Sequence, residues 1–262
     1  MSTLQVSLIG SGNVAWHLAP ELDNIGYFVR EVYSRNTKNA RKLIGRLYQA
    51  ELKKDLDFSE STSQIFIVAV SDDAIDEIAR EIVVPEASVL VHTSGSKSME
   101  VLGYASTPNI GVFYPLQTFS KDKKVHFQDI PICIEAENRH TRKTLKNMAD
   151  RISESVYQIN SDSRQALHIA AVFACNFTNH LFTIAKDMLD NNHLDFEMLK
   201  PLIVETINKS LALGPQQAQT GPARRGDLEV LDKHLKALET HKSYADIYKL
   251  ITQSILDTYP NE

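Results

Sequence analysis

A glycine turn between an apolar strand and a helix, at the start of the chain, constrains the fold more than any other feature. The segment LQVSLI predicts the strand, GSGNVA the turn, and WHLAPEL an amphipathic helix. Gly10 permits a tight exit from the strand, Gly12 lets the backbone approach a pyrophosphate, and Ala15 lets the helix pack closely on the sheet. Backbone amides would hold the anion at the positive end of the helix. The predicted dinucleotide-binding residues of the turn are Gly10, Ser11, Gly12, Asn13 and Val14.

Short β-branched runs alternate with segments of helical spacing through the first 160 residues, which is typical of parallel βαβ units in a doubly wound α/β sheet. Runs such as IFIVAV and SVLVH are apolar on both faces, as expected for central strands covered by helices. The predicted strands are Gln5–Ile9, Phe28–Ser34, Gln64–Val70, Ser88–His92, Asn109–Tyr114, Ile130–Ile134 and Ser155–Ile159. The predicted helices are Val14–Ile25, Thr37–Tyr48, Asp73–Ile82 and Arg139–Ile152.

The pattern changes after Asn160, where only helical spacing remains. The predicted helices there are Ser163–Asp190, Phe196–Leu213, Leu228–Leu238 and Ser243–Thr258, interrupted by the turn segment LGPQQAQTGPARRGD. An apolar fraction of 43% and a charged fraction of 23% are enough to build a proper core. We therefore expect two domains, a Rossmann domain over residues 1–160 and an all-helical domain over residues 161–262.

The end of the second predicted strand indicates which dinucleotide is bound. NAD-specific domains place an acid there to hold the ribose hydroxyls. This chain has Ser34, Arg35 and Asn36 instead, and Glu31 lies three residues before Ser34, inside the strand. A guanidinium can grip a 2′-phosphate with a forked contact, and the neighbouring serine and asparagine can donate to its oxygens. NADP is therefore favoured over NAD. The alternative, a solvated arginine that caps the next helix, explains Arg35 but not the missing acid.

Two further turns follow predicted strands and should face the same crevice at the carboxyl edge of the sheet. Val70, Ser71 and Asp73 would lie along the dinucleotide. The turn that contains His92 and Ser94 would approach the nicotinamide. A role as a helix cap explains Asp73 equally well.

The long helix predicted in the second half carries an unusual polar face. At 100° per residue, Asn179 falls about 20° and Asn176 about 80° from His168, so the three side chains share one face of an otherwise apolar helix. This face suits a cleft that holds a polar substrate. His168 is the first candidate for proton transfer because imidazole exchanges protons close to neutral pH. His92 is the second candidate, with Ser94 as a hydrogen-bond donor beside it, and a satisfied structural histidine is the alternative for both.

Two other segments supply candidate substrate-binding residues. Tyr114 and Gln117, in VFYPLQTF, would line the mouth of the crevice, although a Pro-bounded strand exit explains them equally well. Arg224 and Arg225, in TGPARRGD, would bind an anionic substrate or the cofactor's phosphate, including across a dimer interface. The alternative is an internal Arg–Asp pair that fixes this loop. Asp227 is expected to cap the following helix.

With GSGNVA, SRN, VAVSDDAI, HTSGS, FYPLQTF, NFTNHL and TGPARRGD in place, nearly the whole chain resembles a family of NADP oxidoreductases with a Rossmann domain and a helical C-terminal domain, whose substrates are largely unassigned. More distantly, it is similar to pyrroline-5-carboxylate reductase, deazaflavin-dependent NADP reductases and the 6-phosphogluconate and 3-hydroxyisobutyrate dehydrogenase superfamily. The resemblance implies an NADP-dependent enzyme, a homodimer formed through the helical domain, and a substrate site between the domains.

One departure from these relatives affects the chemistry. The hydroxyacid members use a lysine four residues before an asparagine on the long helix, but the matching positions here are Val172 and Cys175. The leading hypothesis is hydride transfer between NADP(H) and a small polar metabolite, namely an imine, carbonyl or hydroxyl compound. A catalytically inactive NADP-binding regulatory or sensor protein is the main alternative. A structural subunit whose helical half serves dimerisation alone is a third.

Composition narrows the expected partners and location. The net charge of −5 comes from 28 basic and 33 acidic residues mixed along the chain, without a basic stripe for nucleic acid. No segment reaches the apolar length of a membrane span, and the N-terminus does not resemble a signal peptide. Cys133 and Cys175 lie in apolar runs without the spacing of a zinc site, which predicts buried thiols, no metal site and a reducing, cytoplasmic location.

Overall fold

One eight-stranded sheet organises the first part of the computed structural model, which describes residues 4–259. The strand order is β3-β2-β1-β4-β5-β6-β7-β8. The section from β3 to β6 is parallel and has the doubly wound strand order of dinucleotide-binding domains. The predicted α/β class is therefore confirmed. The strands are β1 Leu4–Ile9, β2 Tyr27–Tyr33, β3 Glu51–Lys53, β4 Ile65–Val68, β5 Val89–His92, β6 Ile110–Pro115, β7 Ile132–Ala136 and β8 Val156–Gln158.

Helices cover both faces of this sheet, so each face has its own apolar core. Successive side chains of a strand point to opposite faces. In β1, Val6 joins a core cluster with Leu18 of the first helix, whereas Ile9 joins a second cluster with Ile75 of the third. All residues of β4 and β5 are buried, as the apolar runs predict. The helices of this part are α1 Asn13–Asn24, α2 Thr37–Ile44, α3 Asp72–Glu81, α4 Arg139–Ala149 and α5 Ser161–Ala171.

The end of the sheet departs from a fully parallel arrangement. β7 runs antiparallel to β6 and pairs Cys133 with Tyr114, and β8 is parallel to β7. A parallel return needs a long crossover, usually with a helix. The segment between β6 and β7 contains only a 3-10 turn at Phe127–Asp129. Without a crossover helix, the chain turns back beside the strand that it has just left.

Smaller differences from the predicted elements occur at element ends. β3 is too short and too polar to show a strand pattern in the sequence. α2 and α4 end at Ile44 and Ala149, three or four residues earlier than predicted. The apolar spacing continues past both ends because Leu47 and Ile152 still pack against the core. Helical spacing therefore overestimates helix length at these two ends.

The chain divides into two compact units, with the first ending at Cys175 and the second beginning at Asn176. One helical stretch, Ser161–Asp190, runs through this division. No strand lies among residues 161–259, as predicted. The predicted domain boundary at residue 160 stays a prediction, drawn where the strands end. The helical elements after α5 are a π-helical segment Val172–Phe177, α6 Thr178–Asp190, a 3-10 turn Phe196–Leu199, α7 Lys200–Leu213, α8 Pro215–Ala218, α9 Pro222–Arg225, α10 Leu228–Ala237 and α11 Lys242–Thr258.

The helical stretch Ser161–Asp190 is long and apolar enough to cross a membrane by length and composition alone. This differs from the expectation that no segment reaches the apolar length of a membrane span. None of its most apolar 18-residue window is buried within the chain. A single helix of this kind gives only weak support for a membrane protein, because core helices of other proteins meet the same criterion.

Candidate functional site

The turn between β1 and α1 has the backbone shape that its first glycine predicts. Gly10 has a φ of +122°, and a Cβ atom there would lie 2.2 Å from the carbonyl oxygen of Ala69. Its amide donates to the Tyr33 carbonyl at 2.8 Å, which holds the exit of β1 beside β2. Ala15 is fully buried, so α1 packs directly on the sheet. Only glycine fits at position 10, and the turn depends on it.

The start of α1 offers backbone donors to a ligand. No side chain caps this helix at Gly12, and its first turn contains no acidic residue. The helix begins at a cleft of about 420 Å³ at the carboxyl edge of the sheet. Amides at the positive end of a helix suit a diphosphate, so these residues fit the phosphates of a dinucleotide. The cleft is lined by Gly10, Ser11, Gly12, Asn13, Val14, Tyr33, Ser34, Arg35, Asn36, Asn39, Ala69, Val70, Ser71, Ile78 and Lys121.

The end of β2 forms another wall of this cleft. Ser11 Oγ donates to Ser34 Oγ at 2.9 Å and ties the two turns together. Arg35 is exposed, and its guanidinium lies 3.7 Å from Glu77 in a surface pair. This pair engages one of several guanidinium donors, so the side chain can still bind an anion. Asn36 caps α2 by accepting an amide hydrogen bond at 3.0 Å. The helix cap is thus Asn36, and the alternative role as a cap for Arg35 does not hold.

Only two of the three predicted residues after β4 reach the cleft. Val70 and Ser71 line it. Asp73 is exposed in the first turn of α3 and is not part of the lining. It does not cap the helix either, because α3 begins at Asp72 and its N-cap position is Ser71. The predicted cap role of Asp73 is therefore wrong, because the helix starts one residue earlier than its spacing predicts, and its contact with the dinucleotide stays a prediction.

Lys121 also lines the cleft, and sequence analysis missed it. Its Nζ donates to the carbonyl oxygen of Ser11 at 3.1 Å and lies 5.1 Å from the centre of the Trp16 ring. The residue belongs to the run SKDKK after β6, which in the sequence is indistinguishable from a solvated charged loop. Only the path of this loop past the start of α1 brings the ammonium to the phosphate turn.

His92, the second candidate for proton transfer, is a structural residue. It is fully buried at the end of β5. Its Nδ1 accepts from the Ser94 amide at 3.1 Å, and its Nε2 lies 3.2 Å from the carbonyl oxygen of Ser98, to which it must donate. Burial, and secondarily the Arg164 guanidinium, lowers the pKa of His92 to about 4. With both nitrogens paired, the ring cannot serve a substrate, which corrects the assignment.

Ser94 also shapes the turn after β5. Its Oγ accepts from the amides of Ser96 and Lys97 at 3.1 and 3.0 Å. The residue is buried. These bonds fix the turn and give the Ser94 hydroxyl a structural role, while the group of Ser94 that donates to His92 is its backbone amide.

Tyr114 and His168 form a polar pair at the same edge of the sheet. The phenol oxygen of Tyr114, on β6, lies 3.1 Å from Nδ1 of His168, on α5, and the two rings meet edge to face. A Cβ atom at Gly95 would lie 2.6 Å from His168 Nδ1 and 2.8 Å from Tyr114 Cζ. Burial raises the pKa of Tyr114 to about 12, so its phenol stays protonated at neutral pH. The pair combines a fixed phenol donor with an imidazole that can relay a proton.

Arg164 anchors the helix that carries His168, and it too was missed by sequence analysis. Its side chain is 1% exposed and forms an ion pair with Glu135 of β7. The guanidinium also donates to the carbonyl oxygens of Ser94 and Lys97 in the turn after β5. The first turn of α5 is therefore fixed to two strand ends, one helical turn before His168. A buried arginine in SDSRQAL resembles a solvated residue in the sequence.

The sequence predicts two other polar residues on the same long helix. Asn176 and Asn179 are exposed within the described chain. The prediction that they share a face with His168 assumed 100° per residue, but the segment Val172–Phe177 is π-helical. A π turn holds more residues than an α turn and shifts the angular register. Gln117 is exposed as well, and its Oε1 accepts from the neighbouring Thr118 amide at 2.7 Å.

The arginines of TGPARRGD lie on the short helix α9 of the second unit. The Arg224 guanidinium lies 5.2 Å from the centre of the Tyr259 ring, and Arg225 is exposed. Asp227 caps α10 by accepting from the Val230 amide at 3.3 Å, as predicted. Among residues 4–259, no ion pair joins either arginine to Asp227, so the alternative of an internal Arg–Asp pair lacks support.

The two cysteines differ in exposure, although both were expected to be buried. Both are free thiols; Cys133 is buried in β7, and Cys175 is exposed in the π-helical segment. The apolar neighbours of Cys175 suggested burial, but this helical face is not covered within the described chain. Exposure of apolar helix faces recurs along the helices of the second unit.

Comparison with known proteins gives the class that this geometry suggests, a Rossmann-type oxidoreductase. A putative NADP oxidoreductase from Bacteroides fragilis is 40% identical and has a TM-score of 0.89, with 97% of this chain and 98% of the other covered. The imine reductase from Myxococcus stipitatus in complex with NADP+ is 16% identical with a TM-score of 0.68, covering 97% and 95%. The reductive aminase from Aspergillus terreus in complex with NADPH and ethyl levulinate is 14% identical with a TM-score of 0.71, covering 98% and 95%. The last two establish similarity of fold alone.

The chain belongs to the family of Rossmann-type NADP oxidoreductases represented by the Bacteroides fragilis protein. Residues 130–255 match the model of a domain of unknown function, DUF2520. No curated protein matches the chain. The family predicted from the sequence motifs is thus confirmed.

Proposed function

We propose that this protein is an NADP(H)-dependent oxidoreductase that transfers a hydride between the nicotinamide and a small polar metabolite with an imine, carbonyl or hydroxyl group. The observation that carries the proposal is the Tyr114–His168 pair at the carboxyl edge of a sheet whose glycine turn fits a dinucleotide. The names of the similar proteins support an NADP cofactor and a substrate whose imine or carbonyl carbon accepts the hydride. Arg35 is the residue that would hold the 2′-phosphate.

NADP(H), when bound, supplies the hydride. The protein must bind and orient the cofactor and the substrate, and it must transfer one proton. Tyr114, protonated at neutral pH, donates to the imidazole of His168 or to the substrate itself. In the first case Nε2 of His168 carries the proton that the substrate exchanges. Gly95 leaves room for both rings beside the backbone of the turn after β5. These three residues are the proposed proton-transfer site.

Further assignments complete the proposal. Val70 and Ser71 border the dinucleotide, and Arg224 and Arg225 bind an anionic group of the substrate or cofactor. Asn176 and Asn179 remain candidate contacts to a polar substrate. The two free thiols support a reducing, cytoplasmic location.

We also propose a homodimer formed through the helical second unit. None of the residues of α7 is buried within the described chain, and its Leu202, Ile207 and Leu211 are exposed large apolar side chains. Apolar surface of this extent marks an interaction surface. Sedimentation equilibrium would give a mass twice that of the 29.5 kDa chain. A monomer at micromolar concentration would contradict the proposal.

The test combines cofactor binding with turnover. Trp16, the only tryptophan of the chain, lies at the start of α1, so its fluorescence reports NADPH binding. A panel of imines, ketones and aldehydes is then assayed for NADPH oxidation by wild type and His168→Asn. Because a positioned acid or base contributes about 100-fold or more, the variant should lose turnover by at least that factor and keep its NADPH affinity. Failure of the wild type to bind NADPH would overturn the proposal.

Gly95→Ala tests the geometry of the pair without changing a polar group. The added methyl group must displace His168 or Tyr114, so kcat should fall by about 10-fold or more while NADPH affinity is kept. Gly103→Ala is the matched control, because no atom lies within 4 Å of a Cβ at that position. Equal kcat values for Gly95→Ala and wild type would contradict the role of the pair.

A regulatory or sensor protein that binds NADPH without turnover is the second candidate. The observation that favours it is the absence of the superfamily lysine at Val172 and Cys175. It predicts NADPH binding with no oxidation of NADPH across the whole panel. Turnover of any substrate, lost in His168→Asn, would rule it out.

A further inference from the structure

The segment after β6 is tied to the phosphate turn and the first helix by side chains of both. Asn13 Nδ2 donates to the carbonyl oxygen of Phe119 at 3.0 Å, and His17 Nε2 contacts that of Ser120 at 2.8 Å. The His17 and Phe119 rings stack with their centres 5.6 Å apart. These contacts hold the backbone on both sides of position 120, so the place of Lys121 beside the cleft is set by the fold rather than by its own flexible side chain.

The ammonium of Lys121 has unused capacity at this place. An ammonium carries three N–H donors, and Lys121 uses one of them on the Ser11 carbonyl at 3.1 Å. None of the ion pairs among residues 4–259 includes Lys121, although carboxylates partner several other lysines of the chain. The residue is half-buried and lines the cleft together with the amides of the glycine turn. A partly desolvated cation without a carboxylate partner is expected to attract an anion.

We propose that Lys121 binds the diphosphate of NADP(H) in the cleft that it lines together with Arg35. Its contact with Ser11 places the charge at the turn that would hold the diphosphate, whereas Arg35 lies at the end of β2, where the adenosine ribose would lie. The two cations therefore have separate tasks. Lys121 acts on a group that NADPH and NADH share, and Arg35 acts on the 2′-phosphate that only NADPH carries. This inference rests on cofactor binding in the proposed function and is independent of the reaction.

The test compares the affinities of NADPH and NADH for wild type, Lys121→Met and Arg35→Met by calorimetric titration. Loss of one charge-assisted contact should weaken both dinucleotides about 10-fold or more in Lys121→Met, with their ratio unchanged. Arg35→Met should weaken NADPH alone and bring the ratio toward one. Lys123→Met, which removes an exposed lysine of the same segment outside the cleft lining, should match the wild type.

Salt dependence separates a direct contact from a merely structural tether to Ser11. A charge that meets the diphosphate is screened by salt, so NADPH affinity should fall less steeply with added NaCl in Lys121→Met than in wild type. Lys121→Arg should retain most of the affinity. Equal affinities of Lys121→Met and wild type would overturn the inference and leave the proposed function standing. A weaker variant with an unchanged salt slope would also overturn it, and a wild type that binds no dinucleotide would overturn both.

Discussion

Two histidines, His92 at the end of β5 and His168 on α5, illustrate how environment decides the role of a single residue. His92 is fully buried, with a backbone partner on each ring nitrogen. His168 is half-buried and shares a hydrogen bond with a phenol. The sequence places His92 in a turn at the carboxyl edge of the sheet and His168 on the long helix of the second half, and it makes both candidates for proton transfer. Burial and hydrogen-bond partners distinguish them, and neither can be read from one sequence.

Buried His92 should make the fold sensitive to acid. Its pKa is near 6.5 in the unfolded chain and about 4 in the folded protein, so the unfolded state binds more protons between these values. The stabilising effect of the neutral ring is complete above pH 6.5 and is lost as the pH falls toward 4. The loss reaches about 3 kcal/mol, at 1.36 kcal/mol for each pKa unit. Urea denaturation at a series of pH values measures it.

The matched variants for this prediction are His92→Gln and His140→Gln. Glutamine cannot be protonated, so His92→Gln should show a flatter dependence of unfolding free energy on pH between 6.5 and 4. Exposed His140 has no comparable burial, and its variant should keep the wild-type slope. If wild type and His92→Gln show the same dependence of unfolding free energy on pH, His92 is not the group that makes the fold sensitive to acid.

An ion pair between buried Arg164 and half-buried Glu135 anchors the start of helix α5. Arg164 joins Glu135 of β7 and the turn after β5, and Ser161 at the start of the helix donates to the same carboxylate from its amide at 2.9 Å. Arg164→Leu would leave the half-buried carboxylate of Glu135 without its cationic partner. The free energy of unfolding should fall by about 3–5 kcal/mol, as for other broken buried pairs. Urea denaturation followed by circular dichroism measures the change.

Glu135→Gln provides the comparison. An amide keeps an acceptor for Ser161 and Arg164 but removes the charge, so the loss of stability should be smaller than in Arg164→Leu. A value below about 1 kcal/mol for Arg164→Leu would show that the pair does not hold the helix. A larger loss of stability in Arg164→Leu than in Glu135→Gln is therefore the result that supports the anchoring role of Arg164.

Elements with a strong pattern could be predicted from the sequence, and elements set by their surroundings could not. β4 and β5 are continuous apolar runs, and both are central buried strands. β3 is an edge strand held by its neighbour, and the direction of β7 depends on the absent crossover helix. The π-helical segment Val172–Phe177 has no simple sequence signature, yet it changes which side chains share a face.

At the scale of the whole molecule, the cofactor site was more predictable than the chemistry. The glycine turn and the end of β2 are local motifs, and their residues line one cleft. Lys121 and Arg164 come from loops and helices far along the chain, and only the folded path brings them near that edge. Motifs encode local backbone shape, whereas a site assembled from distant segments depends on packing that one sequence does not display.

A crystal structure of the complex with NADP tests the central claim most directly. We expect the diphosphate within about 3 Å of amides at Gly12–Val14 and the 2′-phosphate on Arg35. The nicotinamide should lie within about 4 Å of Tyr114 or His168, because hydride and proton transfer demand close approach. An NADP molecule ordered outside this cleft, or a 2′-phosphate without contact to Arg35, would contradict the account.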